Sequence, residues 1–198
     1  MTRKENGCMT DTRHTTLSHF TVISAGALNA EAAPLQACIN LRGDAGDEKF
    51  TAAVEAACGL PLPVNACTMS TGNDRRILWL GPDEWLIRTD PARGDELEEA
   101  LHRELAGLHA AVIRMDHQYS ALILGGPAVD DILTGGTSIA PGDITGSACI
   151  GTRFAHVPVI LHRAAEERIV MLLRPSYFGY MVDWLEQAAG HLALTPKG

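Results

Sequence analysis

Histidines and carboxylates at the ends of apolar runs are the residues of this 198-residue chain best able to do chemistry. Asp116-His117 follows the strand-like Ala111-Val112-Ile113-Arg114-Met115, and the spacing of His156 and His162 puts both on one face of an extended segment. A histidine beside a carboxylate is how a general base and the group that orients it are arranged. No nucleophile and no metal set stands with either, so each reads first as a satisfied or solvated histidine. Gly125-Gly126-Pro127 could turn backbone N–H groups toward an anion, but a Gly-Pro pair is also an ordinary helix start. Tyr177, Tyr180 and Trp184 could stack a planar ligand, and at helical spacing they read first as core. Glu96, Glu98 and Glu99 read as a solvated helix face.

The motifs that hold cofactors are absent. There is no GxGxxG and no GxxxxGK[ST] nucleotide cradle. No GxSxG elbow, HExxH, HxH or EF-hand loop occurs either. No catalytic, cofactor-binding or metal-binding residue is therefore assigned in this chain. Cys8, Cys38, Cys58, Cys67 and Cys149 are odd in number, scattered and without a CxxC, which reads as reduced thiols used as small buried hydrophobes in a cytoplasmic protein. Acidic residues exceed basic ones, 24 to 16, for a net charge of −8, and the longest basic run is Arg75-Arg76. Nucleic acid and anionic membrane are excluded as partners on that ground. No apolar run approaches the ~20 residues of a membrane helix, and residues 1–20 lack the apolar centre of a secretory signal.

The elements that position these residues follow from periodicity. Residues 1–20, polar and of mixed charge, read as a mobile tail, with one folded domain over 21–198 beginning between Thr21 and Pro34. Leu35 to Leu41 alternates as a half-buried strand. Asp47 caps a helix carrying Phe50, Ala53, Val54 and Ala57, which Gly59 and Pro61 stop. Ile77 to Leu80 and Trp85 to Ile87 form a hairpin around Gly81-Pro82-Asp83-Glu84. Both arms are apolar on both faces, so helices or another subunit must cover both. Asp90-Pro91 opens a helix with Leu97, Leu101, Leu105 and Leu108. In the second half, strand 121–124 precedes a short helix with Val129, Ile132 and Leu133, ended by Gly135-Gly136. Residues 137–150 form a loop, and Phe154 to Leu161 pairs with Ile169 to Leu173. Ser176 caps a last helix with Tyr177, Tyr180, Met181, Trp184, Leu185 and Ala188, ended by Gly190. The order is β-α-β-β-α-β, then β-α-β-β-α: an α+β fold of duplicated split βαβ, ferredoxin-like units with mostly antiparallel sheet, repeating over about 35–116 and 117–190.

Trp79-Leu80-Gly81-Pro82-Asp83-Glu84-Trp85-Leu86 is the least ordinary segment, because two of three tryptophans flank one turn. Tryptophan fills cores and anchors interfaces. At this string the chain resembles the gamma subunit of heterotetrameric sarcosine oxidase. Leu41-Arg42-Gly43-Asp44, Phe50, Gly59-Leu60-Pro61-Leu62-Pro63, Asp116 to Ser120, Gly126-Pro127-Ala128, Arg153 to Leu161, Arg174-Pro175-Ser176-Tyr177 and Trp184-Leu185 follow the same pattern in order, over about residues 35–190.

The resemblance implies a non-catalytic accessory subunit of a complex with alpha, beta and delta chains, touching the alpha chain directly. That complex oxidatively demethylates sarcosine to glycine with release of hydrogen peroxide. The one-carbon unit leaves as methylenetetrahydrofolate with tetrahydrofolate, or otherwise as formaldehyde. FAD, FMN and NAD are expected on the other chains and no cofactor on this one. The implied fold is that of the folate-binding aminomethyltransferase, the T-protein of glycine cleavage. Asp116 stands in a strand-turn context like that family's, but no counterpart of its folate-holding carboxylate is found. Trp79, Asp83, Glu84 and Trp85 are the expected partner-facing residues. The alternatives are a stand-alone folate-binding or aminomethyl-transferring protein and an assembly factor for a flavoenzyme.

Overall fold

The computed structural model describes residues 21–25, 27–72 and 74–194, so the expected tail and Cys8 lie outside the described residues. The chain runs β1 (Thr21–Ala25), β2 (Leu28–Ala32), β3 (Ala37–Arg42), α1 (Glu48–Cys58), β4 (Met69–Thr71), β5 (Arg75–Gly81) and β6 (Glu84–Thr89). It continues α2 (Gly94–Glu104), β7 (Ala111–Arg114), β8 (Ser120–Gly125), α3 (Val129–Gly136), β9 (Ile150–Phe154), β10 (Val157–Ala165), β11 (Arg168–Leu173) and α4 (Phe178–Leu194).

Two antiparallel sheets result. One has the order β4-β5-β6-β3-β7 and the other β1-β2-β8-β11-β10-β9. In the first, β3-α1-β5-β6-α2-β7 is a complete split βαβ unit, with β4 added at its edge. In the second, β8-α3-β10-β11-α4 repeats that path, and the slot beside β8 is filled by β2. The last strand of the C-terminal unit thus comes from the N-terminal end of the chain. Neither β1 nor β2 was expected from the sequence, although Leu28 and Ala30 alternate inward.

The pleat explains why so many strand positions are apolar. In β6, Trp85 and Ile87 pack under α1 and α2 with Ile39, Leu41, Phe50, Val54 and Leu101. Leu86, on the opposite face, joins Cys38, Leu78, Ile160, Val170 and Leu172 between the sheets. In β11, Ile169, Met171 and Leu173 pack beneath α3 and α4. The layers are therefore helix, sheet, sheet, helix, and side chains of alternating parity feed adjacent apolar layers. Both arms of the 75–89 hairpin are covered by the chain's own helices and its own second sheet. The strand 37–42 is buried on both faces rather than half-buried, for the same reason.

Local signals are met where they are strongest. Asp47 accepts a hydrogen bond from Lys49 N, and Gly59 closes α1 in the left-handed region at φ 67°. Arg75 Nη1 donates to the carbonyls of Ala57 and Cys58, so a strand residue satisfies the open end of that helix. Asp90 caps a 3-10 turn, Pro91–Arg93, and the α-helix proper starts at Gly94.

Four expectations are corrected. The strand read over 154–161 is broken by a two-residue hairpin turn at Ala155 and His156, with φ 46° and 70°; these residues carry no glycine signal. The β10–β11 ladder begins at Val159, so the missing N–H of Pro158 costs no ladder bond. Ser176 does not cap α4; it sits in a 3-10 turn, Pro175–Tyr177, and the helix continues through Gly190 to Leu194. Its buried stripe is Phe178, Met181, Leu185 and Ala189, leaving Tyr177 and Tyr180 exposed and Trp184 half-buried. Residues 137–150 are tied down by a 3-10 turn at Pro141–Asp143, by the buried Ile144, and by a bridge from Ala148 to Thr68.

Candidate functional site

Strand β3 ends beside the turn of the β5–β6 hairpin, with Arg42 paired in register with Glu84 and Trp79 with Trp85. Arg42 divides its guanidinium between Asp83 Oδ2 at 3.0 Å and Glu84 Oε2 at 2.7 Å. The other oxygen of Glu84 accepts from Asn40 Nδ2 at 2.8 Å, and Gly43 N donates to the Asp83 carbonyl. Each of these polar groups has a partner. Asn40 is buried, so its bond to a charged acceptor contributes more than the exposed Arg42–Asp83 pair.

Trp85 is placed wholly in this chain's core, at 0 % exposure. Its Nε1 donates to the Pro63 carbonyl at 2.8 Å, and its ring lies 5.7 Å from that of Phe50. Trp85 therefore offers a partner no surface, which corrects the expectation for that residue. Trp79 is half-buried, and Asp83 and Glu84 keep part of their side chains in solvent. Gly43 is required at its position, because a Cβ there would lie 2.2 Å from the Phe50 ring. Leu41 to Gly43, Phe50, Pro63 and Trp79 to Trp85 are thus separated in sequence and joined in one packing unit.

The other candidates do not assemble. Asp116 Oδ1 accepts from Arg114 Nε at 2.6 Å and from Cys38 N at 2.8 Å. Burial pushes its pKa up, but these bonds and the Arg114 charge outweigh it and hold the carboxyl below its usual value. Asp116 is a connector of β3 and β7, occupied by Arg114. His156 sits exposed in the β9–β10 turn, whereas His162 is buried between the sheets. Burial, then the charges of Arg88 and Arg76, push His162 down to about 4. Tyr180 donates to the Ala155 carbonyl, and Trp184 meets Phe154 edge-on at 5.0 Å. Gly125-Gly126-Pro127 leads into α3, and Gly126, at φ 104°, lies where a Cβ would strike the Ala27 carbonyl at 2.5 Å. Glu98 takes part in the Arg114 cluster. Cys38, Cys58 and Cys149 are buried free thiols, Cys67 is exposed, and burial pushes Cys58 and Cys149 up to about 12. Among the described residues no group of three His, Cys, Asp or Glu side chains is placed to hold a metal ion, and no helix is long and apolar enough to cross a membrane.

One set of residues was missed by sequence reasoning: Arg76, Arg88 and His162, which the two sheets bring to one groove. The signal for it was Arg88, a charge on the face of β6 that otherwise points Leu86 into the sheet interface.

Comparison with known proteins bears on most of the chain. The family model SoxG, sarcosine oxidase, gamma subunit family, matches residues 42–191. The sarcosine oxidase subunit gamma of Corynebacterium sp. (strain P-1) is 30 % identical over 179 residues, covering 87 % of this chain and 85 % of that protein. Its namesake from Corynebacterium sp. (strain U-96) is 32 % identical over 142 residues, covering 69 % and 67 %. Among solved structures, a chain of heterotetrameric sarcosine oxidase from Corynebacterium sp. U-96, in complex with pyrrole 2-carboxylate, matches with a TM-score of 0.79 at 26 % identity, covering 93 % of this chain and 94 % of that one. The glycine cleavage system aminomethyltransferase T of Bartonella henselae shares the fold, with a TM-score of 0.59 at 12 % identity over 80 % of this chain and 45 % of that one.

Proposed function

This chain belongs to the sarcosine oxidase gamma subunit family, and from that premise we propose that it is a non-catalytic subunit of a heterotetrameric sarcosine oxidase. The observation that carries this reading is the likeness, across nearly the full length of both chains, to a chain of such an oxidase. In the hairpin unit the side chains of Arg42, Asn40, Asp83 and Glu84 are engaged with one another. In this reading the alpha, beta and delta chains are its partners, and the alpha chain is the one it touches. FAD, FMN and NAD sit on the other chains, as does the tetrahydrofolate chemistry by which the complex turns sarcosine into glycine, and the assembly works in the cytoplasm.

The surface we assign to the contact is the hairpin tip, Trp79, Asp83 and Glu84. Trp85 acts from beneath, holding the arms in place. A permanent contact of this kind buries about 2,000 Å² or more, so these residues are its centre rather than its extent. Co-expression with the three other chains, with and without this one, is the test. We expect a complex containing this chain at fixed stoichiometry and a loss of assembly or activity when it is omitted. An oxidase that assembles and keeps full activity without it would overturn the reading.

A further inference from the structure

The layer between the two sheets is apolar through its middle and polar at one end. At that end lies a groove of about 540 Å³, roofed by the 33–36 connection between β2 and β3. The pleat places its polar residues. Arg88 is on the same face of β6 as Leu86, and it pairs in register with Cys38 on one side and Arg76 on the other. From the facing sheet, His162 shares the face of Ile160 and stands opposite Val170. All three side chains therefore point from the sheets into the same gap.

Among the described residues the Arg88 guanidinium has the Cys38 thiol beside it, but several polar atoms of Arg88 and His162 find no partner. Arg88 is 6 % exposed and His162 1 % exposed. Arg88 Nε and both ring nitrogens of His162 are sealed from solvent with no hydrogen-bond partner. Among the described residues no carboxylate pairs with Arg88 or Arg76. The acids lining the groove are engaged elsewhere: Asp74 holds Arg93 at 2.6 Å, and Asp90 caps Ala92 N at 2.8 Å. Arg168, also on the lining, is paired with Glu31 at 2.7 Å. A buried cation without an anion is costly, and an orphaned buried donor adds to that cost. A chain that satisfies each group at one end of this hairpin and leaves three open at the other has room there for a molecule not its own.

The chemistry of that molecule can be read from the lining. Two uncompensated guanidiniums call for an anion, and a planar guanidinium matches a carboxylate's two oxygens. Leu35, Ile123, Val170 and Ala164 make the remaining wall apolar, which suits a carbon skeleton. Among the described residues lining the groove there is neither a glycine nor an α-helix N-terminus, the parts from which phosphate sites build a backbone N–H cradle. We propose that this inter-sheet groove binds a small organic carboxylate, its anionic end seated among Arg88, Arg76 and His162 and its hydrocarbon body against Leu35, Ile123 and Val170. An arriving anion offsets the charges of Arg88 and Arg76, which add to burial in holding His162 neutral, so it makes protonation of the imidazole easier as the ligand binds. This assignment is independent of the subunit role proposed above.

Calorimetric titration of the full chain at low salt near pH 6, with benzoate, acetate and inorganic phosphate as probes, tests it. We expect saturable benzoate binding, with acetate about tenfold weaker for lack of an apolar body. The benzoate heat should change with the ionisation enthalpy of the buffer, reporting proton uptake. Arg88→Met and Arg76→Ala should each weaken benzoate about tenfold or more, while Arg153→Ala, on the exposed β9–β10 hairpin, leaves it unchanged. Arg76 is only half-buried, so that variant decides the matter should Arg88→Met fail to fold. Absence of saturable benzoate binding at about 20 mM, full affinity in Arg76→Ala, or displacement of benzoate by equimolar phosphate would each overturn the proposal.

Discussion

The β5–β6 hairpin has two ends that differ in one respect. At its tip, Arg42, Asn40, Asp83 and Glu84 form a closed set in which each charge has a partner, and the Trp85 N–H has the Pro63 carbonyl. At its root, among the described residues, Arg76 and Arg88 have no carboxylate partner and neither ring nitrogen of His162 is hydrogen-bonded. The same two strands carry both, and burial is comparable: Trp85 and His162 are both nearly inaccessible. The difference is closure. A polar set that is complete within the chain fixes architecture, whereas one left incomplete points to something outside it. The tip carries the Trp79 to Leu86 string on which the resemblance was read, and its residues are held by packing within this chain.

The largest break of this comparison is at Trp85. Trp85→Ala removes a fully buried ring and orphans the Pro63 carbonyl, and should cost about 3–5 kcal/mol in urea unfolding of the lone chain. Trp85→Phe keeps most of the ring and loses the N–H, so its cost should fall to about 1–2 kcal/mol. If Trp85→Ala melted like the parent chain, the tip would not be the cement described here.

The root answers to pH instead. His162 has a folded-state pKa of about 4 against 6.5 for a free imidazole. The unfolded chain therefore binds the proton first as pH drops. Stability is fully present above about pH 6.5 and is lost toward pH 4, by about 3 kcal/mol across that window. Urea unfolding at a series of pH values measures the slope, and His162→Leu should flatten it. An unchanged slope in that variant would mean that other groups carry the acid sensitivity.

How much of this was legible depended on whether the signal was local. Asp47 and Gly59 announce α1 within a few residues, and Gly81-Pro82-Asp83 announces the hairpin turn, so these elements stand where expected. The duplicated split βαβ order was legible for the same reason. That β2 completes the C-terminal unit was not, because its partner β8 is remote in the chain and Ala30 and Ala32 are weak markers. The turn at Ala155-His156 hid because left-handed residues there are neither glycine nor asparagine. The α4 stripe was misphased by one residue, since the 3-10 turn at Pro175–Tyr177 delays the helix to Phe178. Trp85 looked available to a partner because apolar residues on both strand faces do not say whose surface covers them, and here the chain's own helices cover the Trp85 face while its second sheet covers the other. The groove was invisible as a unit: Arg76, Arg88 and His162 lie on three strands of two sheets. His162 had been matched by spacing with His156, which the turn carries away to the surface.

Between these extremes lies Glu84, whose carboxylate serves both a buried and an exposed partner. Glu84→Leu leaves buried Asn40 Nδ2 without an acceptor and should cost about 1–3 kcal/mol. Adding Asn40→Leu should recover much of that, because replacing both partners removes the orphan. A double variant no more stable than the single one would show that Asn40 has another role.

The smallest effect on the lone chain belongs to Asp83, and it separates cement from contact surface. Asp83 and Arg42 are 65 % and 48 % exposed in their side chains, so their attraction is weakened by water and by salt. Asp83→Asn should change folding stability by less than about 1 kcal/mol, and by nothing measurable in about 1 M salt. If the tip is where the chain meets the oxidase, the same substitution should lower its recovery in the co-purified complex at low salt, because a charge at a docking surface acts on association rather than on folding. Equal recovery of Asp83→Asn and parent chain would move the contact elsewhere on the molecule, while leaving the closed set at the tip as a device of the fold alone.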